Sequence, residues 1–489
     1  MNTFLLLLIS SIIILFKLGA LGILETSEAR YAEIAYEMAM SGDWLTPRIW
    51  HITDFQKPPF MYWTTALSYK VFGASEFAAR LPAALSAILA ILVCYHLGKT
   101  LFNKRVGFYA ALLLLASPLY LGASKILNLD IFVLLFTALM FLMFLKDRFF
   151  LFYVFMGLSI LVKGPMTLFY VIPTLLIFLA MNRELSKLKN MQLLRGAFIF
   201  LLISLPWFVW ESIQFKDKEL WKFFVYGQLG SRFLPFIKAF ESYKSIIPLP
   251  TKPFYYYGLI FIPAFLPSIL GIIAGRSFPQ KREFLFLLSW ILAPLILFSL
   301  MPVKQPLYIV TLAIPLALLS AYSLSNLIER IPTSKRMIRF AFLGFFTLVF
   351  IGHFFIHRYE HHTKSVKAFL PVLYAHPDTQ IILYRIILRA IPFYTNKRPI
   401  FIHTQDPVGS RHFDLTFDDP KNYSPYFLLD YHNMDSLMEL LKTATKTFIF
   451  SGYEWKEVLN AATEKKIPLF ICHQTPKYTL MGNFNCLEK

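Results

Sequence analysis

Charged residues are scarce in this sequence. Asp, Glu, Lys and Arg make up 16% of its 489 residues, whereas a soluble globular chain usually carries about 25%. Hydrophobic residues make up 57% and aromatic residues 17%. This composition excludes an ordinary soluble protein and indicates a polytopic membrane protein. Low-complexity segments and convincing internal repeats are also absent.

Cysteine is scarce too. The three cysteines, Cys94, Cys472 and Cys486, are too few and too scattered for a disulfide framework or a zinc site. Cys472 and Cys486 either pair in an oxidising compartment or remain two buried thiols, and the sequence leaves both interpretations open.

Acidic residues are outnumbered by basic ones. The 48 Lys and Arg residues against 29 Asp and Glu residues give a formal net charge of +19. A nucleic-acid partner would require the basic residues to cluster on a soluble face, but most of them punctuate apolar runs. The preference of Lys and Arg for cytoplasmic loops is the simpler explanation, so no nucleic-acid partner is expected.

Long apolar runs dominate the first two thirds of the chain. Crossing about 30 Å of hydrocarbon takes roughly 20 residues in a helix. The run at 1–23 lacks a positive N-terminal region and a small-residue cleavage site, so we interpret it as a first span and not as a signal peptide. We predict about eleven transmembrane helices, near residues 3–23, 77–98, 106–122, 128–146, 149–163, 165–181, 196–212, 256–275, 284–301, 305–327 and 338–356.

Basic residues orient these spans. If the N-terminus is cytoplasmic, each connection from an even-numbered span to the next odd-numbered span lies in the cytoplasm. All of these connections are basic, as the preference for positive cytoplasmic loops requires. The outer loops at 24–76 and 213–255 and the C-terminus then face outward. The basic inner connections lie at 99–105, 146–148, 183–195, 276–282 and 330–339.

The composition changes after residue 357. Hydrophobic runs shrink to strand length, and helical patterns lie between them, which predicts a small α/β domain on the outer face. We therefore divide the chain into a transmembrane domain at 1–356 and an extracytoplasmic α/β domain at 357–489. The predicted strands lie at 381–384, 399–403, 447–450, 468–472 and 478–481, and the predicted helices at 434–441 and 455–465.

Residues 25–63 carry the densest set of ionisable and aromatic side chains in the first third of the chain. Ser27 is the predicted N-cap of a short helix, Glu28 lies in its first turn, and Gly42 follows its last residue. The prolines that follow predict irregular or extended backbone. The stretch therefore reads as a shaped surface patch and not as another span.

This stretch resembles the first extracytoplasmic loop of the protein O-mannosyltransferase superfamily. The most similar branch contains the bacterial transferases that move 4-amino-4-deoxy-arabinose onto lipid A. The matching blocks here read SEARYAE at 27–33, GDW at 42–44 and QKP at 56–58. Further blocks match at KGP 163–165, LPW 205–207, Arg232-Phe233, Lys304 with Tyr308, and PFY 392–394. The resemblance implies a polytopic α-helical GT-C glycosyltransferase fold.

The resemblance also implies a reaction. A sugar would move from a polyprenyl-phosphate carrier to a lipid A-like glycolipid, another glycan or a protein, on the periplasmic face of the inner membrane and with inversion. The alternatives are a transporter or flippase of polyprenyl-linked sugars and a catalytically degenerate assembly factor of the same fold. The large polar outer loop and outer domain favour the enzyme, because a transporter does not need them.

Asp130 stands where an outer turn meets a long apolar run. An acid at a membrane boundary is costly unless it faces water, a partner or a substrate. The alternative is that Asp130 caps the N-terminus of the following helix. The resemblance implies the functional role, because an acidic residue opening this span is essential in the family.

Glu28 is the second candidate acid. Its structural alternatives are to complement the helix dipole or to pair with a neighbour. The family has an Asp immediately before this Glu, but Ser27 occupies that position here. Either Glu28 or Glu25 therefore takes over, or Asp130 acts alone, and we select Glu28 together with Asp130 as the catalytic residues.

Arg30 and Lys57 are the candidate ligands of the carrier phosphate. Arg suits bidentate phosphate contact and Lys supplies a point charge. The structural alternatives are a helical pair with Glu33 for Arg30 and snorkelling to lipid headgroups for Lys57. The resemblance implies the phosphate role for both. The predicted supporting residues of the substrate cavity are Tyr31, Glu33, Tyr62, Lys163, Arg232 and Lys304.

No metal site and no cofactor are predicted. The arabinose-transferase branch can hold a metal through the Glu of its Glu-Lys-Pro block and a His in the second outer loop. Here these positions are Gln56 and Leu229, neither of which offers the imidazole, thiolate or carboxylate that zinc needs.

Overall fold

The computed structural model describes residues 2–215, 252–355, 362, 364–402, 434–443 and 446–486. The N-terminal part is helical. Its helices and its one short hairpin are α1 Asn2–Leu15, α2 Ser27–Ser41, β1 Arg48–Ile49, β2 Ile52–Thr53, α3 Phe60–Phe72, α4 Glu76–Leu101, α5 Lys104–Leu115, α6 Pro118–Ala123, α7 Asp130–Leu145, α8 Phe149–Lys163, α9 Leu168–Met181, α10 Lys187–Asn190, α11 Leu193–Gln214, α12 Tyr256–Gly275, α13 Lys281–Leu300, α14 Ala313–Arg330 and α15 Ser334–Phe355.

Six helical stretches in the described part of the chain are long and apolar enough to cross a membrane. They are Glu76–Leu101, Phe149–Met181, Leu193–Gln214, Tyr256–Gly275, Lys281–Leu300 and Pro306–Arg330, and the apolar helices at Thr3–Leu15 and Asp130–Leu145 are shorter. A helical membrane protein is therefore confirmed, and the count of eleven spans stays a prediction.

The stretch Phe149–Met181 contains a reversal of the chain. Lys163, at the end of α8, pairs with Asp130, at the start of α7, so these two helices are antiparallel. Phe144 and Phe178, near the ends of α7 and α9, contact each other with ring centroids 6.3 Å apart, so α9 runs parallel to α7. The turn between α8 and α9 begins at Gly164, whose φ of 69° favours glycine. One end of the helical bundle therefore holds Asp130 and Lys163 together.

Helix α2 forms as its end signals predict, with a shift of one residue at its start. Thr26 is the N-cap, and its side chain accepts a hydrogen bond from the backbone N–H of Glu28. The prediction that Ser27 is the N-cap is therefore wrong, because the adjacent threonine has the extended backbone that a cap requires. Gly42 ends the helix with a φ of 76°, as a left-handed C-terminal residue does.

The C-terminal part is a mixed α/β fold, as predicted. Its elements are α16 Leu370–Ala375, β3 Gln380–Tyr384, α17 Ile391–Thr395, β4 Ile400–Ile402, α18 Met434–Thr443, β5 Thr447–Ser451, α19 Trp455–Glu464, β6 Phe470–Gln474 and β7 Thr479–Gly482. The strand order is β4-β3-β5-β7-β6. Strands β4, β3 and β5 are parallel, and β7 runs antiparallel to both of its neighbours. All five predicted strands are present.

Cys472 and Cys486 form a disulfide, which decides between the two interpretations that the sequence left open. Disulfides persist in oxidising compartments and are rare in the cytosol.

The segment before α2 docks against the C-terminal part. Leu24 and Ser365 form an isolated antiparallel bridge, and the backbone N–H of Ile23 donates to the phenol of Tyr394 at 2.8 Å. Tyr394 in turn donates to Glu76 at 3.2 Å. These contacts hold the first outer loop and the α/β domain together beside the start of α4.

Candidate active site

Asp130 and Lys163 form a buried ion pair. The Lys163 Nζ lies 2.5 Å from Asp130 Oδ1, and the two side chains are 6% and 12% exposed. The same ammonium lies 4.4 Å from the ring centroid of Tyr308, within the range of a cation–π contact. Gly164 ends α8 directly after Lys163. Lys163 therefore lies at the end of α8, next to the start of the antiparallel helix α7.

Asp130 does not cap its helix. The side chain of Asn128 accepts the hydrogen bond from the backbone N–H of Ile131 at 3.1 Å, and Asp130 is the first residue inside α7. The interpretation of Asp130 as an N-cap is therefore wrong. Its carboxylate pairs with a cation, which leaves the functional interpretation standing.

Arg30 forms a second charged group beside the first. Its Nε lies 3.8 Å from Asp54 Oδ2, and its side chain is 15% exposed. Its guanidinium carbon lies 5.2 Å from the ring centroid of Tyr31. Among the described residues, Nε of Arg30 is buried without a hydrogen-bond partner. A buried N–H donor without an acceptor is rare in folded proteins, so this donor is available to an anionic ligand.

Tyr31 lies between the two charged groups. Burial raises the pKa of its phenol, the positive charges of Arg30 and Lys163 oppose that rise, and the negative charge of Asp130 adds to it. The ring of Tyr62 lies 6.2 Å away, and the Tyr62 hydroxyl is buried without a partner in the described chain. Arg30, Tyr31, Tyr62, Asp130 and Lys163 thus converge on one place.

Asp54 belongs to this site, and our sequence analysis missed it. Its side chain is almost fully buried, facing Arg30, and its Oδ1 accepts the backbone N–H of Gln56 at 2.8 Å. The sequence did contain a signal for Asp54, because this acid lies two residues before the QKP block, a motif that the sequence analysis had noted.

Glu28 is held by a full set of partners. Its two oxygens accept hydrogen bonds from Arg80 Nε at 2.8 Å and Nη2 at 3.0 Å, and from the backbone N–H groups of Leu24 and Leu127 at 3.0 and 2.9 Å. Arg80 also donates to the carbonyls of Leu18, Leu21 and Gly22. The geometry favours a positioning role for Glu28, and its assignment as a catalytic residue stays a prediction.

Arg80 is the second residue that the sequence analysis missed. It lies inside the apolar run that begins near residue 77, and it is only 2% exposed. A charge in a membrane segment requires a partner, so this arginine was itself a sign that one nearby acid would be occupied.

Glu25 and Glu33 face the α/β domain. The carboxylate of Glu25 accepts the backbone N–H groups of Arg389 at 2.8 Å and Ala390 at 2.9 Å. Burial raises its pKa to about 7, with the two backbone hydrogen bonds opposing the rise. Burial also raises the pKa of Glu33 well above its usual value, and the neighbouring carboxyl of Glu37 adds to that rise. Glu25 therefore docks the α/β domain.

The remaining predicted residues fall into three groups. Lys57 is buried next to the start of α3. The ammonium of Lys304 donates to the carbonyls of Lys252 and Met301, an arrangement that closes the end of α13. Arg232 and the would-be metal ligand position Leu229 lie outside the described residues.

No group of three or more His, Cys, Asp or Glu residues that could hold a metal occurs in the part of the chain that the structure describes. Because Leu229 lies outside the described residues, this finding does not test the expectation that the protein needs no metal, which stays a prediction.

The site combines cations that can hold an oxyanion with a carboxylate that can accept a proton. Because Arg30 and Lys163 are both largely removed from water, their attraction for an anion is stronger than at an exposed surface. The arrangement suits a reaction in which a phosphate leaves while an acceptor hydroxyl loses a proton.

Comparisons with known proteins confirm the resemblance. Residues 56–210 match the family of dolichyl-phosphate-mannose-protein mannosyltransferases. Undecaprenyl phosphate-alpha-4-amino-4-deoxy-L-arabinose arabinosyl transferase 2 of Pseudomonas fluorescens is 31% identical over 333 residues, which cover 65% of this chain and 54% of the relative. The transferase of Yersinia pestis is 31% identical over 317 residues, which cover 61% and 54%. This chain thus matches about half the length of these curated relatives.

Solved structures show the same fold. The crystal structure of ArnT from Cupriavidus metallidurans bound to undecaprenyl phosphate has a TM-score of 0.79 at 20% identity, covering 99% of this chain and 98% of that one. The archaeal oligosaccharyltransferase AglB from Archaeoglobus fulgidus has a TM-score of 0.52 at 14% identity, covering 98% and 74%. The helical part with its small sheet domain is therefore a GT-C fold.

Proposed function

We propose that this chain, which is similar to the protein O-mannosyltransferase superfamily in sequence and in fold, is a membrane glycosyltransferase that uses a polyprenyl-phosphate sugar. The observation that carries the proposal is the convergence of Arg30 and the Asp130–Lys163 pair around Tyr31. Arg30 and Lys163 come from sequence blocks that resemble the family, and Asp130 occupies the place where the family has an acid at the start of a span. The site they form offers both cations for a phosphate and a carboxylate for a proton.

In the proposed mechanism, the carrier phosphate binds between Arg30 and Lys163, with Lys57 as a further cation. The phosphate competes with Asp130 for the Lys163 ammonium, because both are oxyanions facing one donor. Asp130 is then free to accept the proton of an acceptor hydroxyl as that oxygen attacks the anomeric carbon. The phosphate leaves from the opposite face, its developing charge held by the cations, and the anomeric centre inverts.

Glu28 acts as a positioning residue in this proposal. Through Arg80 and the backbone of Leu24 and Leu127 it ties the start of α2 to the start of α4 and to the turn before α7. Arg30 belongs to α2, and Asp130 begins α7. By joining these two segments, Glu28 sets the distance between the phosphate-binding and the proton-accepting parts of the site.

The relatives suggest the substrates. Their names specify undecaprenyl phosphate-linked 4-amino-4-deoxy-L-arabinose, so we propose a pentosyl donor of this class and a lipid A-like glycolipid as acceptor. The basic connections and the Cys472–Cys486 disulfide support an inner-membrane protein whose α/β domain is periplasmic.

The test is transfer by the purified protein. Undecaprenyl phosphate-linked 4-amino-4-deoxy-L-arabinose and lipid A are incubated with the protein, and the products are weighed by mass spectrometry. A mass increase on lipid A that requires Asp130 supports the proposal, and the lipid A of a deletion strain should lack the same addition. Binding of the carrier lipid without any transfer to lipid A, glycans or proteins would refute an enzyme.

A further inference from the structure

Asp54 is a buried carboxylate to which the proposed mechanism gives no task. It directly follows β2, and its backbone N–H donates to the carbonyl of Pro47 at 2.8 Å, which extends the β1–β2 hairpin by one hydrogen bond. Its Oδ1 accepts the backbone N–H of Gln56 at 2.8 Å. The hairpin and this turn therefore fix the carboxylate in place, with its second oxygen, Oδ2, toward Arg30.

Oδ2 of Asp54 and Nε of Arg30 face each other without a hydrogen bond between them. The two atoms are 3.8 Å apart, beyond the range of about 2.7–3.2 Å for an N–H···O bond. No hydrogen bond from another described residue reaches Oδ2, and Nε is buried without a partner in the described chain. Two opposite charges are thus held side by side, and each can still form a hydrogen bond with a ligand.

A third group with unused hydrogen-bonding capacity belongs to the same site. The hydroxyl of Tyr62 is fully buried and has no partner among the described residues. The Tyr62 ring lies 6.2 Å from that of Tyr31, which itself lies 5.2 Å from the guanidinium carbon of Arg30. A phenol can both donate and accept a hydrogen bond. These three groups, from Arg30, Asp54 and Tyr62, are therefore available together to one polar ligand.

The charge of Asp54 restricts the kind of ligand. A carboxylate next to Arg30 repels a phosphate bound there, and the repulsion is strong because both side chains are largely removed from water. A ligand that carries a positive charge besides its phosphate turns this repulsion into attraction.

The geometry allows one ligand to reach both groups. A ligand oxygen on Nε of Arg30 and a ligand nitrogen on Oδ2 of Asp54 can be up to about 9 Å apart, because each contact adds a hydrogen bond of roughly 2.8 Å to the 3.8 Å between the two atoms. A sugar ring that carries a phosphate on one carbon and an amino group on another fits within that distance.

We propose that Asp54 binds a protonated amino group on the sugar of the donor, while Arg30 binds the phosphate that carries this sugar. The proposal rests on the proposed function, and it makes Asp54 a specificity-determining residue. An ammonium has three N–H donors, enough for Oδ2 of Asp54 and for a second acceptor such as the Tyr62 hydroxyl. A neutral sugar leaves Asp54 unpaired beside the phosphate, so the site selects a donor with a positive charge on its ring.

The alternative role for Asp54 is to hold Arg30 in place. The two roles differ in what the loss of the carboxylate charge does. If Asp54 only positions Arg30, its neutralisation weakens the binding of every phosphate ligand to the same extent. If Asp54 binds the amino group, the loss is confined to a ligand that carries a charged amine.

The test measures the binding of three lipids to the full chain in detergent, with dissociation constants read from tryptophan fluorescence. The lipids are undecaprenyl phosphate, undecaprenyl phosphate-linked 4-amino-4-deoxy-L-arabinose, and the same donor with its amine formylated, which removes the positive charge. Asp54→Asn retains an oxygen for the backbone N–H of Gln56. We expect it to weaken binding of the amino donor roughly 10- to 100-fold. The other two lipids should bind at least as tightly as to the wild type, because the repulsion from Asp54 is gone.

The matched control is Asp43→Asn. Asp43 also pairs with an arginine of the same outer segment, Arg48, but it is partly exposed. Its Oδ1 accepts the backbone N–H groups of Leu45 at 3.1 Å and Thr46 at 3.2 Å, and an asparagine oxygen can accept both. All three lipids should therefore bind to Asp43→Asn as they bind to the wild type.

The outcomes separate the proposal from the function on which it rests. Equal weakening of all three lipids in Asp54→Asn would overturn the proposal and assign Asp54 to positioning Arg30, and unchanged binding of the amino donor would overturn it too. A wild-type protein that binds undecaprenyl phosphate but does not prefer the amino donor to the formylated one would also overturn it, while the carrier part of the proposed function stands. A wild-type protein that binds none of the three lipids would overturn the proposed function itself. A partly unfolded fraction lowers the amplitude of the signal and not the dissociation constants.

Discussion

Neutralising Asp130 tests the buried pair at the centre of the proposed mechanism. Asp130→Asn preserves the shape of the side chain and removes its charge. Because Asn128 already caps α7, no capping contact is lost. What changes is the environment of Lys163, whose ammonium, in a side chain that is 6% exposed, loses its counter-charge.

The expected cost to stability follows from that burial. Removing one member of a buried ion pair costs about 3–5 kcal/mol, because the other charge is left uncompensated, whereas replacing both members by apolar residues of similar volume is often neutral. We therefore expect Asp130→Asn and Lys163→Met to destabilise the protein singly, and the double variant Asp130→Leu with Lys163→Met to recover most of the stability.

Activity should follow a different pattern. A carboxylate that accepts the acceptor's proton contributes about 10²–10⁴-fold to turnover, and no apolar pair can replace it. The double variant should therefore be stable and inactive. A matched control is the exposed pair of Arg105 and Glu329, whose side chains are 55% and 60% exposed; Glu329→Gln should cost less than about 1 kcal/mol and leave transfer unchanged.

Thermal unfolding in detergent and the sugar-transfer reaction, measured on the same preparations, decide between these outcomes. A double variant that transfers sugar at the wild-type rate would show that the pair serves only the fold. Loss of activity in Asp130→Asn alone would not be sufficient evidence, because destabilisation can produce the same result.

Three further predictions concern other parts of the molecule. Arg30→Ala and Lys57→Ala should each weaken donor use by about 1.5–3 kcal/mol, the range for hydrogen bonds to charged groups, and unchanged donor kinetics in both would remove them from the phosphate site. A reporter fused at Lys489 should be active only outside the cytoplasm; a cytoplasmic signal would show that the predicted orientation is wrong. Because the pKa of Glu25 is raised from 4.5 to about 7 in the folded protein, its contribution to stability is full below about pH 4.5 and is lost as the pH rises through 7, by at most about 3 kcal/mol. Glu25→Gln should flatten this dependence of the unfolding midpoint between pH 5 and 8, and an unchanged slope would assign it to other groups such as Glu33.

The sequence predicted much of the fold because the signals were local. Apolar runs set the membrane helices, and alternating short hydrophobic runs gave all five strands of the C-terminal sheet. The end signals of α2 were correct to within one residue. The apolar stretch at 149–181 is continuous, yet the sequence divides it into two short spans at 163–165, and the structure reverses the chain there, at Gly164.

The candidate site was predictable only where a motif marked it. Arg30, Lys57 and Lys163 came from blocks that resemble a family, and Asp130 from its place at the start of an apolar run. Three of the four, Arg30, Asp130 and Lys163, gather around Tyr31. Asp54 and Arg80 lie outside those blocks and were missed. Their roles depend on which helix ends meet, and hydrophobic periodicity fixes spans without fixing how the spans are arranged around one another.

Pairing at long range explains why Glu28 looked available from the sequence. Its partner Arg80 is separated from it by 52 positions, and the domain-docking contact between Glu25 and Arg389 by 364. Attention to the buried charge of Arg80 would have narrowed the choice of catalytic acid. A cation inside an apolar run cannot stay unpaired without large cost, so Arg80 requires an acid from a neighbouring outer segment. The two oxygens of Glu28 accept four hydrogen bonds, from Arg80 and from the backbone N–H groups of Leu24 and Leu127, which leaves no free lone-pair direction for an acceptor's proton. For this reason we propose Asp130 as the proton acceptor, since its partner Lys163 is a cation that an arriving phosphate can engage.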